Sequence, residues 1–359
     1  MKLFLHIGTE KTGSSFLQSY LAKNRSLLLK HGIYFPKAGF NEANMLKGMI
    51  SPGNADELDK CLAKKDWEQV KLWLASKYEE AKQNNCNAVL LSNEILVLRF
   101  AEKNTLNELM CIAKSLHFEV QNPLLIIREP VSQAMSLYKH RSKIGSMLPV
   151  EEWLNEKYIL AECLVHFYEN LKQSKVDLSQ YPYQKDSAYL LEVCINKWLQ
   201  LNEKIEVEHS PVNPSLTLSE LKILCELHPQ NPYLAKKFYD FMIKLDTSQK
   251  SDDLLYKAFV KNHINNYMLN YNALWKTVHE HMSCETNAYH YTLIPINELN
   301  ETASFSKEQI HAMGAFMNYG ATSAFSKFQA TKKIQRAIVK MTPKYLNDLR
   351  KKIRDSFYN

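Results

Sequence analysis

The chain opens on an apolar run, Leu3-Phe4-Leu5-His6-Ile7, that stops at Gly8. A polar stretch, Thr9 to Ser15, separates it from Phe16, Leu17, Tyr20, Leu21, Leu27 and Leu28, which recur at helical spacing. A short apolar run bounded by glycine reads as a strand buried on both faces, and the later spacing as an amphipathic helix. Lys2–Ile7 is therefore predicted as a strand followed by a loop and a helix. The alternation repeats: a helix over Asp66–Gln83 precedes an apolar strand at Ala88–Ser92, and a helix over Leu106–Leu116 precedes one at Pro123–Ile127. A helix over Val131–Arg141 starts after Pro130, a residue that suits a first turn. Between Gly32 and Asp56, Pro36, Gly39, Gly48, Pro52 and Gly53 predict loops over a pocket mouth. Beyond Glu151 the periodicity is mostly helical: Tyr158–Leu171, Tyr189–Leu201, Leu218–Leu227, Tyr233–Ile243, Leu254–Met282, Lys307–Tyr319 and Lys327–Lys340, with a fourth strand at Val176–Tyr181. Strands alternating with helices predict an α/β fold, a parallel sheet of about four or five strands flanked by helices. Its C-terminal half is expected to be mostly helical. A core over 1–215 and a helical region over 216–359 are the expected divisions.

Composition narrows the function classes. The 359 residues are 45% hydrophobic, enough to bury a sizeable core, and the formal net charge is +7. That excess suits an anionic cofactor or an acidic acceptor, but it lacks the density of a dedicated nucleic-acid binder, and no nucleic-acid partner is expected. The seven cysteines (Cys61, Cys86, Cys111, Cys163, Cys194, Cys225, Cys284) are odd in number, widely spaced and without a CxxC pair. They read as reduced thiols and not as a disulfide framework or zinc site. The start reads directly as a strand, and no apolar run approaches the roughly 18–20 residues of a membrane span. The expected location is a bacterial cytoplasm. A basic stretch carrying Lys332, Lys333, Arg336, Lys340, Lys344, Arg350, Lys351, Lys352 and Arg354 is interleaved with apolar residues. It has two readings: peripheral contact with an anionic inner membrane, or a helix packed on the body with its basic face in water.

The chemistry concentrates in two places. Gly8-Thr9-Glu10-Lys11-Thr12-Gly13-Ser14-Ser15 lies between a predicted strand and helix, where loop and first-turn N–H groups favour an anion. A nucleotide-triphosphate loop reads GxxxxGK[ST]. Here Gly8 and Gly13 keep that spacing, Ser14 stands where the lysine would be, and the lysine has moved into the loop as Lys11. No acidic strand end offers a magnesium ligand, so a phosphate site without a metal is expected. Arg128 follows the third strand, and Ser136 comes eight residues later on the predicted helix. A guanidinium fork at a strand tip and a helix hydroxyl can meet one phosphate.

Together, His6 to Gln18 and the Arg128–Ser136 pair resemble PAPS-dependent sulfotransferases, nearest to the bacterial branch that acts on carbohydrates and surface polymers. The resemblance covers about residues 2–216, including Asn213-Pro214-Ser215-Leu216. It departs in one respect, Ser14-Ser15 standing where the family usually has two threonines. The resemblance implies a P-loop-like core, PAPS as cofactor and 3′,5′-adenosine bisphosphate as product. It implies that Gly8, Thr9, Glu10, Lys11, Thr12, Gly13, Ser14 and Ser15 hold the 5′-phosphosulfate, and that Arg128 and Ser136 hold the 3′-phosphate. Sulfuryl transfer needs positive charge at the leaving oxygen, the expected role of Lys11, and a base for the acceptor proton. Glu94, in Ser92-Asn93-Glu94 after the second strand, is the first candidate for that base; His6 and Glu10 follow, with His6 also readable as a hydrogen-bonded strand histidine. The acceptor implied is a carbohydrate or polysaccharide. Tyr34, Phe35, Phe40, Trp67 and Trp73 are sugar-stacking candidates or core, and His140 and Arg141 are pocket residues or a solvated helix end. Two other functions suit the pattern less well: a P-loop kinase, opposed by Ser14, and a non-catalytic binder of a nucleotide or glycan.

Overall fold

A computed structural model describes residues 1–49, 51–142, 148–204, 216–245, 250, 254–281 and 305–322. Its first elements are β1 (Lys2–His6), α1 (Ser14–Lys23), α2 (Arg25–Lys30), β2 (Ile33–Tyr34), α3 (Glu42–Leu46), α4 (Asp56–Lys64), α5 (Trp67–Gln83) and β3 (Ala88–Ser92). Next come α6 (Leu96–Ala101), α7 (Thr105–Ser115), β4 (Glu119–Val120), β5 (Leu124–Ile127), α8 (Pro130–Ser142), α9 (Val150–Lys157), α10 (Leu160–Ser174), β6 (Ser179–Pro182) and α11 (Ser187–Leu191). The remaining described elements are helices: α12 (Leu218–Leu227), α13 (Pro232–Met242), α14 (Leu254–Asn270), α15 (Asn272–His281) and α16 (Lys307–Thr322). The chain divides into two compact units that interleave along the sequence. Among the described residues one comprises 1–133, 159–204 and 270–281, and the other 134–158, 216–269 and 305–322.

The first unit carries a six-stranded sheet flanked by helices, with strands in the order β2-β3-β1-β5-β6. Every pairing is parallel. β1 runs in register with β3 from Lys2 opposite Ala88 to His6 opposite Ser92. Its other edge is shared: Lys2 and Leu3 pair with β4, and His6 pairs with Leu124 of β5. Pro123, which has no N–H to give a ladder, falls between those two partners. The sheet has two strands beyond those legible in the periodicity, β2 and β4, each only two residues long.

Local chemistry explains other departures from the sequence pattern. The apolar spacing over Phe16–Leu28 becomes two helices, broken at Asn24, whose Nδ2 donates to the Tyr20 carbonyl at 2.8 Å. Side-chain capping of this kind competes with helix continuation. Helix α5 begins after Asp66, whose carboxylate accepts from the Gln69 N–H at 3.2 Å. The predicted helix over 189–201 is α11 followed by a π-helical turn, Glu192–Trp198. The segment 32–56 is not all loop: it holds β2, a 3₁₀ turn at Gly39–Asn41, and α3. Leu254–Met282 is two helices, α14 and α15.

The core between the sheet and its helices gathers Phe4, Leu17, Leu21, Leu90, Ile126, Leu191 and Trp198, with the Phe4 and Trp198 rings edge-to-face at 5.5 Å. The second unit has its own core, including Leu221, Leu224, Phe238, Met313 and Phe316. There Thr217 and Glu220 form a reciprocal capping box on α12. Glu220, fully buried, also accepts from Gln309 Nε2 at 2.7 Å and pairs with Lys250 Nζ at 3.1 Å. The predicted helix 327–340, the basic stretch 332–354, Cys284 and Asn213-Pro214-Ser215 lie outside the described residues.

Candidate functional site

Because the strands are parallel, β1, β3, β5 and β6 all end at one edge of the sheet. The segments that follow them are 7–13, 93–95, 128–129 and 183–186. Open α/β sheets bind ligands outside the carboxyl ends of their strands, and these segments hold most of the residues selected from sequence.

The 8–15 loop is fixed from below and from the side. Thr9 Oγ1 donates to the Ile126 carbonyl at 3.2 Å, and Thr12 Oγ1 to the Thr9 carbonyl at 2.5 Å. Two residues take left-handed backbone conformations, Lys11 at φ 66° and Gly13 at φ 85°. Gly13 suits that region, and a Cβ there would stand 2.6 Å from Leu190 Cδ1. Lys11 does not, and an L residue held there marks local strain at a candidate site. Gly13 precedes α1 without supplying a side-chain cap. The N–H groups of Phe16 and Leu17 donate to its carbonyl at 3.0 and 3.1 Å. The buried Ser14 hydroxyl has no hydrogen-bond partner among the described residues. An uncapped helix start with an unsatisfied hydroxyl suits an anion.

Arg128 extends from the tip of β5 to this loop. Its Nη1 donates to the Lys11 carbonyl at 3.1 Å, across 117 residues of sequence. Nε and Nη2 both donate to Ser132 Oγ, at 2.9 and 2.7 Å. The guanidinium lies over the Tyr183 ring, 5.0 Å from its centroid. Burial draws the pKa of Arg128 downward, opposed by Tyr183 and Glu129. Glu129 turns away to the start of α8, where its carboxylate accepts from the N–H groups of Val131 and Ser132 at 2.8 and 2.6 Å. Gln133 Nε2 donates to the Glu10 carbonyl at 3.2 Å.

Beneath the loop, His6 is 1% exposed. Its Nδ1 lies 2.8 Å from Ser92 Oγ, which also accepts from Gln18 Nε2 at 3.2 Å. His6 Nε2 and Gln18 Oε1 have no partner among the described residues. A Cβ on Gly8 would be 3.1 Å from His6 Nε2 and 3.2 Å from Ser14 Oγ, so both side chains lie against Gly8. Burial lowers the His6 pKa to about 4, which keeps the ring neutral at ordinary pH. Glu94 is half-buried in the turn after β3, where Asn93 Oδ1 accepts from the Ile95 N–H at 2.8 Å.

Ser136, His140 and Arg141 all lie on α8, the last two in its final turn. Ser136 follows Ser132 by four residues, which puts both hydroxyls on one helix face. Of the aromatic candidates, Phe35 is core, Tyr34 donates to Glu80 at 2.8 Å and Trp73 to Glu57 at 2.8 Å, while Phe40 is fully exposed. Trp67, the first residue of α5, is partly exposed. Among the described residues no cysteine forms a disulfide. Among the described residues no three His, Cys, Asp or Glu side chains group to hold a metal, and no helix is long and apolar enough to cross a membrane.

The sequence alone gives no role to Ser132, Gln133 or Tyr183, and Gln18 and Ser92 enter only as parts of longer motifs. The signal for Ser132 was present, since position i+4 from a strand-tip arginine falls on the first turn of the next helix. Tyr183 was not legible, because it reaches Arg128 only through the register that sets Ile127 opposite Pro182. No family model, curated protein or solved structure matches the chain.

Proposed function

We propose that the chain is a PAPS-dependent sulfotransferase acting on a hydroxyl or amine of a carbohydrate or polysaccharide. The observation that carries this reading is the bond from Arg128 to the Lys11 carbonyl, which joins the two phosphate-directed motifs at one sheet edge. The loop-bearing β1 lies between β3 and β5 in the sheet, a placement that supports a P-loop-like core as part of the same reading.

The residues suit a nucleotide with phosphates at two positions. The uncapped start of α1 and the unsatisfied Ser14 hydroxyl offer donors for a 5′-phosphate, together with Lys11 and Ser15, while the Thr12 hydroxyl shapes the loop through the Thr9 carbonyl. Arg128 offers a fork with donors beyond the three already used, and Ser136 a hydroxyl on the following helix, for a 3′-phosphate. Bound PAPS supplies the sulfuryl group and a 5′-phosphate leaving group. Lys11 places positive charge where the leaving oxygen gains negative charge. Glu94, after β3 at the same edge, accepts the proton of the attacking hydroxyl. His6, neutral and hydrogen-bonded to Ser92, braces β1 from below and does not compete for that role.

Turnover of PAPS against a panel of sugars and polysaccharides tests the proposal. Release of 3′,5′-adenosine bisphosphate with formation of a sulfate ester is expected, and Glu94→Gln should reduce it strongly. Magnesium-dependent ATP turnover without sulfuryl transfer would replace this reading by a kinase.

A further inference from the structure

Two consecutive loop carbonyls are held by one short stretch of chain. Gln133 Nε2 reaches the Glu10 carbonyl at 3.2 Å and Arg128 Nη1 the Lys11 carbonyl at 3.1 Å. Arg128 is aimed by Ser132, whose single Oγ accepts from both Nε and Nη2. The start of α8 is itself fixed, since the Glu129 carboxylate accepts its first N–H groups. What is held is costly: Lys11 sits at φ 66°, a conformation that persists for an L residue only when its surroundings impose it.

We propose that Ser132 and Gln133 are positioning residues, forming with Arg128 a clamp that imposes the left-handed Lys11 conformation and couples the β5 tip to the 5′-phosphate loop. This rests on the reading of 8–15 as a nucleotide phosphate site. The guanidinium assigned to a 3′-phosphate then also shapes the 5′ site, and a ligand lacking the 3′-phosphate still depends on it. Gln133 is buried and nearly isosteric with methionine, so Ser132→Ala and Gln133→Met remove the clamp's polar atoms with little change in volume.

The test is hydrogen exchange on the full chain without ligand, for wild type, S132A, Q133M and the double variant, followed by separate titrations with adenosine 5′-phosphate and adenosine 3′-phosphate. Phe16 and Leu17, which donate to the Gly13 carbonyl, report on the loop. Their exchange is expected to accelerate about 5- to 30-fold in the double variant, the factor that releasing one strained residue gives. The amides of β1, β3 and β5 are expected to keep wild-type protection, and adenosine 5′-phosphate to bind more weakly by a similar factor. Unchanged exchange at Phe16 and Leu17, or faster exchange across the whole sheet, overturns the clamp. So does a loss confined to adenosine 3′-phosphate with 5′-phosphate binding intact. Wild-type protein that binds no adenosine phosphate contradicts the sulfotransferase reading instead, and the ligand-free exchange result still judges the clamp.

Discussion

His6 Nδ1 and Ser92 Oγ lie 2.8 Å apart and fasten the ends of two parallel strands from residues 86 positions apart. The imidazole is buried at the end of β1, and burial pulls its pKa from 6.5 to about 4. The unfolded chain therefore takes up a proton near pH 6.5 that the folded chain refuses until about pH 4. Stability is expected to fall as pH drops through that window, by about 3 kcal/mol in all, and to lose nothing further to this group below it. Urea unfolding at a series of pH values for wild type and His6→Gln checks this. The variant should lose that part of the slope, and parallel curves would contradict a buried neutral histidine.

Gly53 faces the same end of β3. It sits at φ 88°, and a Cβ there would stand 2.0 Å from the Ser92 carbonyl oxygen and 2.6 Å from Gln18 Nε2. Flanking contacts hold this approach: Asn54 Nδ2 donates to the Leu90 carbonyl at 3.0 Å and the Ser92 N–H to Asn54 Oδ1 at 2.7 Å. Gly53→Ala should cost about 3 kcal/mol or more, since neither the backbone nor the neighbouring carbonyl can give way cheaply. Thermal unfolding reads the loss directly.

In the second unit, Glu220 and Lys250 form an ion pair with side chains 0% and 3% exposed. Removing one member of a buried pair leaves a charge without its partner. Glu220→Gln is expected to cost about 3 kcal/mol, and a double-mutant cycle with Lys250→Met to show coupling above about 1 kcal/mol. Additive effects in denaturant unfolding would mean that the hydrogen bonds from Thr217 and Gln309 carry the cluster alone.

Lys11→Ala should lower kcat for sulfuryl transfer by about 10²-fold or more, with a smaller effect on bisphosphate affinity, because its charge matters most as the leaving oxygen becomes anionic. Single-turnover kinetics with PAPS separates the two, and a near-wild-type rate would remove Lys11 from the chemistry.

The long elements were legible because burial writes itself into periodicity. β3 coincides with its apolar run, and α5, α7 and α12 differ from their predicted spans by a residue at most at either end. What escaped was short or depended on neighbours. β2 and β4 are too brief to show a pattern, α3 lies among glycines and prolines, and α4, α6 and α9 are six to nine residues long. The residues chosen from the two motifs come together at one sheet edge because strand–loop–helix context constrains where they fall. Their supporting residues are not encoded locally: Ser92 and Tyr183 arrive through strand register, and Gln18 reaches Ser92 from α1.

The most direct measurement is calorimetric titration of the protein with 3′,5′-adenosine bisphosphate, beside ATP with magnesium, for wild type and Arg128→Ala. Micromolar or tighter binding of the bisphosphate is expected, with weak ATP binding and a loss of about tenfold or more in the variant, the loss of a charged hydrogen-bond partner. A protein that ignores the bisphosphate, or binds it equally well without Arg128, would contradict the assignment of this sheet edge as a PAPS site.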